Sequence, residues 1–272
     1  MLPRRSEAAE AGDGGARGHP LVAGGHSGRA VSAQAAPHTA APCVQRHGGR
    51  LSGLGAVPLQ DPDRAAAELG WVLEAGLAGV EVAPATQGVF LGDERLGAFW
   101  AEVERRRAVV FVHPSTRGLD LPVMAEAYLW NAVGNPVETA IAAAQLVMAG
   151  VVERHPELRI VLAHGGGVLP HLAGRLARAH AVRPEARARL AAAPADSLRR
   201  LHYDTITHDR EQLRRLVAWA GSDRVLLGSD RPFDLADDDP VATVRALGLA
   251  ADDEARVMGG NASRLFGLAG RD

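Results

Sequence analysis

The chain has 272 residues, 47% of them hydrophobic and 23% charged, with acids and bases nearly balanced at a net charge of -2. That length suits one large α/β domain or two small ones, and the balanced charge, without basic stretches interleaved with aromatics, argues against nucleic acid and for a small metabolite as partner. A lone cysteine, Cys43, excludes an intramolecular disulfide framework and a thiolate zinc cluster; with no secretory apolar core and no run of about 18 apolar residues, a cytoplasmic protein without a membrane partner is expected.

Residues 1–50 are dominated by Ala, Gly, Arg, Pro and His and contain neither an aromatic residue nor isoleucine. They read as a low-complexity, disordered segment; a stretch translated from another start or frame, or a degenerate strand region, are the competing readings. From 51 to 272 short β-rich runs alternate with long amphipathic stretches, the pattern of a parallel sheet wrapped by helices. The first run is LGAVPL (54–59), followed by a helix over 61–76 that opens with Asp61 as cap and Pro62 at its first turn. GVEVA (79–83) and VVFVH (109–113) come next. A second long helix begins at NPVE, where Asn135 is the expected cap, Pro136 the first helical residue and Glu138 the closing member of a capping box. RIVLAH (159–164), HYDTI (202–206) and VLLGSD (225–230) complete six strand candidates. Six such units fit either a doubly wound sheet or a (β/α)8 barrel that lacks two strands.

In parallel α/β folds the chemistry lies beyond the carboxyl ends of the strands. VVFVH ends in His113, RIVLAH in His164 and VLLGSD in Asp230, while Asp204 and His208 lie at and just after the fifth run. A single histidine there is more often a core imidazole satisfied by a carbonyl. Two histidines and an aspartate at three independent strand ends are the donor types that a borderline cation such as Zn²⁺ takes. A hydrolytic triad is disfavoured, because no G-x-S-x-G elbow occurs. The triplet Gly165 to Gly167 lacks both the dinucleotide-binding spacing and a P-loop lysine, so its expected role is steric, permitting a close approach that a side chain would block. Asp237 to Asp239 read as a solvated loop, and His155, His171 and His180 as ordinary helix positions.

FVHPS (111–115), LAHGGGVLPHLAGRL (162–176), YDTITHD (203–209), LLGSDRPF (226–233) and GNASRLFGL (260–268), with GAVPLQDP (55–62) and YLWNAVGNPVETA (128–140), resemble the amidohydrolase-related metal-dependent enzymes of the aminocarboxymuconate-semialdehyde decarboxylase type. The resemblance runs from about Gly53 to Leu268. It implies a TIM-type (β/α)8 barrel holding one divalent ion, zinc or else manganese, at its carboxyl mouth. It also implies that His113 and Asp230 are metal ligands, that His164 lies beside the metal and transfers a proton, with Asp230 sharing the catalytic role, and that Trp130 and Asn131 sit in a loop over the substrate. Asp204 and His208 match positions near the mouth, and His208 joins the substrate contacts.

Enzymes of this type carry an H-x-H pair at the end of the first strand, and this chain contains none; His19, His26, His38 and His47 are spaced otherwise. The six runs therefore match strands three to eight of an incomplete barrel, whose two uncovered edges and apolar lumen would be exposed. A catalytic zinc takes about three protein ligands plus water, so two ligands leave the set short unless a partner chain in a homodimer lends others. The expected activity is non-oxidative decarboxylation of a small unsaturated or aromatic carboxylic acid. A metal-dependent hydrolase with the same parts, and an inactive barrel fragment, are the alternatives.

Overall fold

A computed structural model describes residues 21–23, 41–42, 44, 46, 51–114, 119 and 121–268. Seven strands form one sheet: β1 (Leu21–Ala23), β2 (Leu51–Gly55), β3 (Gly79–Val82), β6 (Val109–Val112), β7 (Arg159–Leu162), β8 (His202–Asp204) and β9 (Val225–Leu226). Between β3 and β6 a small antiparallel hairpin joins β4 (Ala85–Thr86) to β5 (Val89–Phe90). Every pairing in the large sheet is parallel and joins strands in chain order, from Leu21 against Leu51 to Asp204 against Leu226. Consecutive parallel neighbours require a crossover after each strand, and most crossovers contain a helix. The result is the α/β architecture of a barrel in which, among the described residues, β1 and β9 are not paired with each other.

The six expected strands are present, with trimmed carboxyl ends. The run placed at 54–59 begins earlier and stops at Gly55, because Pro58 has no N–H and Leu59 donates to the Val57 carbonyl, turning the chain toward Asp61. β9 ends at Leu226 because Leu227 donates instead to the Val257 carbonyl. The strand β1 shows no periodic signal and falls, with the described residues 41, 42, 44 and 46, inside the segment read as low-complexity. The rest of that reading, and the four histidines within the segment, lie outside the described residues.

Helix α1 (Pro62–Glu74) starts as expected: the Asp61 carboxylate accepts from the Arg64 N–H at 3.2 Å, and Ala65, Leu69 and Val72 face the core. Helix α2 (Gly97–Arg106) packs beside it and buries Phe99, Trp100 and Val103. Helix α3 (Asn135–Met148) corrects one expectation. A π-helical turn, Trp130–Gly134, runs directly into it, so Asn135 is already helical at φ -59°, ψ -50° and its side chain caps nothing. A cap residue needs an extended backbone, which the preceding turn denies it. Both Asn135 and Glu138 are buried. Helices α4 (Leu169–Val182) and α5 (Arg210–Ala220) complete the long helices, α5 capped by the Asp209 carboxylate on the Gln212 N–H at 2.7 Å.

Two hydrophobic clusters follow the strand alternation. Val110, Val112, Ile160 and Leu162 belong to the large core under the helices, whereas Leu54, Val109, Val161 and Leu226 form a second cluster on the other face. The last described helix, Asn261–Phe266, places Leu265, Ala262 and Phe266 against that second cluster, where Leu265 is 7% exposed. The lumen expected to lie open is filled at its floor. Asn261 fastens this helix by donating to the Ser222 and Val225 carbonyls at 2.7 Å each.

Candidate active site

His113 follows β6 in the parity of Val109 and Phe111, the interior-facing residues of that strand. Its ring is 9% exposed, its Nδ1 is paired with the Pro114 carbonyl at 3.0 Å, and its Nε2 is turned toward Asp230, whose Oδ1 lies 3.6 Å away. Phe233 stacks on the same imidazole at 6.2 Å between ring centroids.

His164 follows β7 and has φ +56°, a left-handed conformation uncommon outside glycine. Gly165, Gly166 and Gly167 continue it at +59°, +77° and +60°. A Cβ at Gly167 would lie 1.8 Å from the Pro136 carbonyl oxygen and one at Gly166 2.8 Å from the Tyr203 ring, so the triplet serves close backbone approach, as expected. The buried Asp204 carboxylate holds this turn by accepting from the N–H groups of His164 at 3.0 Å, Gly165 at 2.7 Å and Ile206 at 3.0 Å. Burial pushes the Asp204 carboxyl above the usual range, against the opposing pull of His164 and these three donors. Asp204 thus lies beneath the histidine, tied to backbone.

Asp230, beyond β9, also has a left-handed backbone at φ +55°. Its Oδ2 lies 3.7 Å from His164 Nε2. Burial pushes its carboxyl up, but hydrogen bonds and charge from His113 and His164 outweigh that and hold it well below the usual carboxylate range. One donor atom from each of His113, His164 and Asp230 lies within 4.8 Å of the other two, the one such group among the described residues. Two imidazoles and a carboxylate suit Zn²⁺ or Mn²⁺, and the buried His164 Nδ1 has no hydrogen-bond partner among the described residues. The donor set fits a divalent ion.

A cavity of about 560 Å³ opens beside this cluster and is lined by His164 and Asp230 on one side. Asn131 and His208 lie on its wall; His208 too is left-handed, at φ +54°. Trp130 instead lines a separate cavity of about 120 Å³ and packs edge-on against Tyr128 at 4.9 Å. The wall also includes a stripe of α5, Gln212, Arg215, Leu216 and Trp219, which the sequence reading did not single out. Their spacing of three, one and three is one helical face, so periodicity on the helix after β8 was the available signal. His171, read as an ordinary helix position, also lines the cavity. Tyr128 donates to the Asp234 carboxylate at 3.1 Å, joining the loop after β6 to the loop after β9. Asp239, in the run read as a solvated loop, caps the next helix by accepting from the Ala242 N–H at 2.9 Å.

The amidohydrolase family profile matches residues 2–268, beginning well ahead of Gly53, where the recognisable motifs start. The chain belongs to the amidohydrolase family. Within it, the chain is 32% identical over 229 residues to 2-amino-3-carboxymuconate-6-semialdehyde decarboxylase of Dictyostelium discoideum, covering 83% of this chain and 63% of that protein. It is 32% identical over 144 residues to 6-methylsalicylic acid decarboxylase of Penicillium expansum, covering 53% and 44% of the two chains. The chain thus spans less than two thirds of the length of these relatives. The crystal structure of 5-carboxyvanillate decarboxylase from Novosphingobium aromaticivorans, complexed with manganese and 4-hydroxy-3-methoxy-5-nitrobenzoic acid, superposes with a TM-score of 0.79 at 26% identity, over 87% of this chain and 70% of that one. Among the described residues, no helix is long and apolar enough to cross a membrane.

Proposed function

We propose that this amidohydrolase-family chain is a metal-dependent, non-oxidative decarboxylase of a small aromatic or unsaturated carboxylic acid. The observation that carries the reading is the convergence of His113, His164 and Asp230 from three strands at the edge of the 560 Å³ cavity. That three similar proteins are decarboxylases of carboxylated aromatic or unsaturated compounds supports the choice of reaction.

His113 and Asp230 would hold the ion, zinc by preference and manganese as the alternative. When bound, such an ion polarises a substrate oxygen and so eases the accumulation of negative charge as CO2 departs. His164 lines the cavity and is held at a fixed angle by Asp204, which suits it to deliver a proton to the carbon that loses the carboxylate. Asp230 stays ionised beside it and keeps the imidazole oriented. Ile206, Leu216 and Trp219 offer an apolar wall to a ring and exclude water from the developing charge, while Asn131 and His208 supply polar contacts. The cavity lies in the size range of metabolite sites. We place the enzyme in the cytoplasm, in keeping with its single cysteine, and a homodimer is the arrangement that could lend further ligands to the ion.

Metal loading followed by CO2 release tests the reading. Purified chain dialysed against Zn²⁺ or Mn²⁺ should retain about one ion per chain and release CO2 from one of a panel of hydroxybenzoates and dienoic acids. Hydrolysis of amides or lactones without CO2 would favour the hydrolase, and failure to retain an ion the inactive fragment.

A further inference from the structure

At the amino ends of the strands, opposite the candidate active site, lies a second cavity of about 630 Å³. Arg107 precedes β6, Arg159 and His202 open β7 and β8, Arg224 precedes β9, and Arg200 and Arg264 close the ring. Arg159 and His164 are five residues apart along an extended strand, so the two cavities are separated by about 17 Å. Five guanidinium groups converge here, and Glu157 is the one acid among the lining residues.

Part of this basicity serves the fold. Arg159 donates to the Leu265 carbonyl at 3.2 Å, Arg200 to Val152 at 3.2 Å, Arg224 to Arg200 at 3.3 Å, and Arg264 to the Asn261 side chain at 2.6 Å. A guanidinium has five N–H donors, and these bonds use one or two from each. Arg224 pairs with the Asp223 carboxylate at 3.3 Å; Arg107, Arg159, Arg200 and Arg264 have no carboxylate partner among the described residues. Arg224 also approaches His202 Nε2 at 3.5 Å, an arrangement in which the imidazole accepts and is neutral. Burial, and after it the neighbouring Arg107, lower the Arg159 pKa against the weaker opposing pull of Glu157. In a chain of net charge -2, five guanidiniums and one carboxylate around one concavity, four of the guanidiniums without an ion-pair contact among the described residues, are a segregated field that carbonyl capping alone does not require.

We propose that this cavity is a second ligand site, for a compact polyanion bearing two or more phosphate or carboxylate groups. Planar guanidiniums bind both groups in paired fashion, and the cavity has the volume of a metabolite site. Its concavity favours a small ligand over an acidic polymer. Binding would neutralise the ring and tie the last described helix, through Arg264, to the strand starts, so occupancy should stabilise the whole barrel.

The test is calorimetric titration of the full chain with inorganic pyrophosphate and, separately, with citrate, alongside thermal unfolding. One saturable site per chain is expected for at least one probe, weakened as salt rises, with an increase in melting temperature. Arg107→Gln, at the rim and without a hydrogen bond holding the fold, and Arg200→Gln should each weaken it about tenfold or more. The preferred probe tells a phosphate from a polycarboxylate ligand. Both probes also chelate divalent ions, so the titration is repeated in Asp230→Asn, where the same affinity is expected. The proposal is overturned if neither probe saturates a site, if affinity vanishes in Asp230→Asn, or if Arg107→Gln and Arg200→Gln both remain folded by circular dichroism and bind as the parent does.

Discussion

The Asp204 carboxylate accepts the backbone N–H of His164 at 3.0 Å, so the residue that ends one strand fixes the turn that ends its neighbour. The angle of the candidate proton donor is thereby set by a buried group that does not line the cavity. Replacing Asp204 by Asn puts an amide NH2 where a carboxylate oxygen now accepts. At least one of the three N–H groups then loses its acceptor, at a cost of about 1–3 kcal/mol. Asp204→Asn should lower the melting temperature and reduce kcat/KM, because the turn carrying His164 and the wall residue Ile206 both lose part of their support. A variant as stable and active as the parent would refute the bracing role.

His164→Ala and His113→Ala should part company. Removing His164 is expected to abolish CO2 release while most bound metal is retained, since His113 and Asp230 remain 3.6 Å apart. Removing His113 should lower metal content itself. Atomic absorption on both variants, next to their activities, separates the roles; equal metal loss in the two would make His164 a ligand and remove it as the proton donor.

Gly167→Ala adds a methyl group 1.8 Å from the Pro136 carbonyl oxygen at a position with φ +60°. Neither a side chain nor rotamer change can relieve a clash with backbone. Destabilisation of at least about 2 kcal/mol is expected, read as a lower urea midpoint. Gly174→Ala, with open space around its Cβ, is the matched control and should be neutral or slightly stabilising.

His202 gives the fold a pH dependence of definite sign. Burial, with the Arg224 charge adding to it, lowers its pKa to about 4, against the weaker opposing pull of the Ile160 carbonyl and Asp223; Arg264 also lowers it. The unfolded chain then binds a proton near pH 6.5 that the folded chain refuses until about pH 4. The stability is present above pH 6.5 and is lost as pH falls through that window, by up to about 3 kcal/mol. Urea midpoints of the parent and His202→Gln should therefore converge on acidification. Parallel pH profiles would show that His202 is not the responsible group.

Tyr128→Phe removes the bond that joins the loops after β6 and β9. The tyrosine is exposed, so stability should change by less than about 0.5 kcal/mol. KM should rise severalfold with kcat little altered, because the Asp234 loop carries Phe233, which stacks on His113. Unchanged KM would mean that the latch does not shape the cavity.

What the sequence made legible was the set of positions whose chemistry is tied to strand ends. His113, His164 and Asp230 each close a run of β-branched and aliphatic residues, and parallel topology alone brings such ends together. Asn135 was misleading because a cap motif specifies local geometry only if the preceding residues are extended, and the turn from Trp130 is helical. Leu21–Ala23 had no legible signal, since three residues cannot display a period. The α5 face was hidden for the opposite reason: Gln212, Arg215, Leu216 and Trp219 form an ordinary amphipathic stripe, and only the position of the helix beside His164 makes it a cavity wall.

The left-handed run from His164 to Gly167 has a consequence for how such a protein could change. Each of the three glycines lies against a neighbour that leaves no room for a side chain, so the histidine side of the cavity is almost closed to substitution. The stripe on α5 has standard helical backbone, and its side chains Gln212, Arg215 and Trp219 can vary in size and charge without straining it. Acceptance of a new acid would thus be acquired by drift along Gln212, Arg215 and Trp219. Three residues of one helix are then the adjustable part of an otherwise fixed reaction chamber.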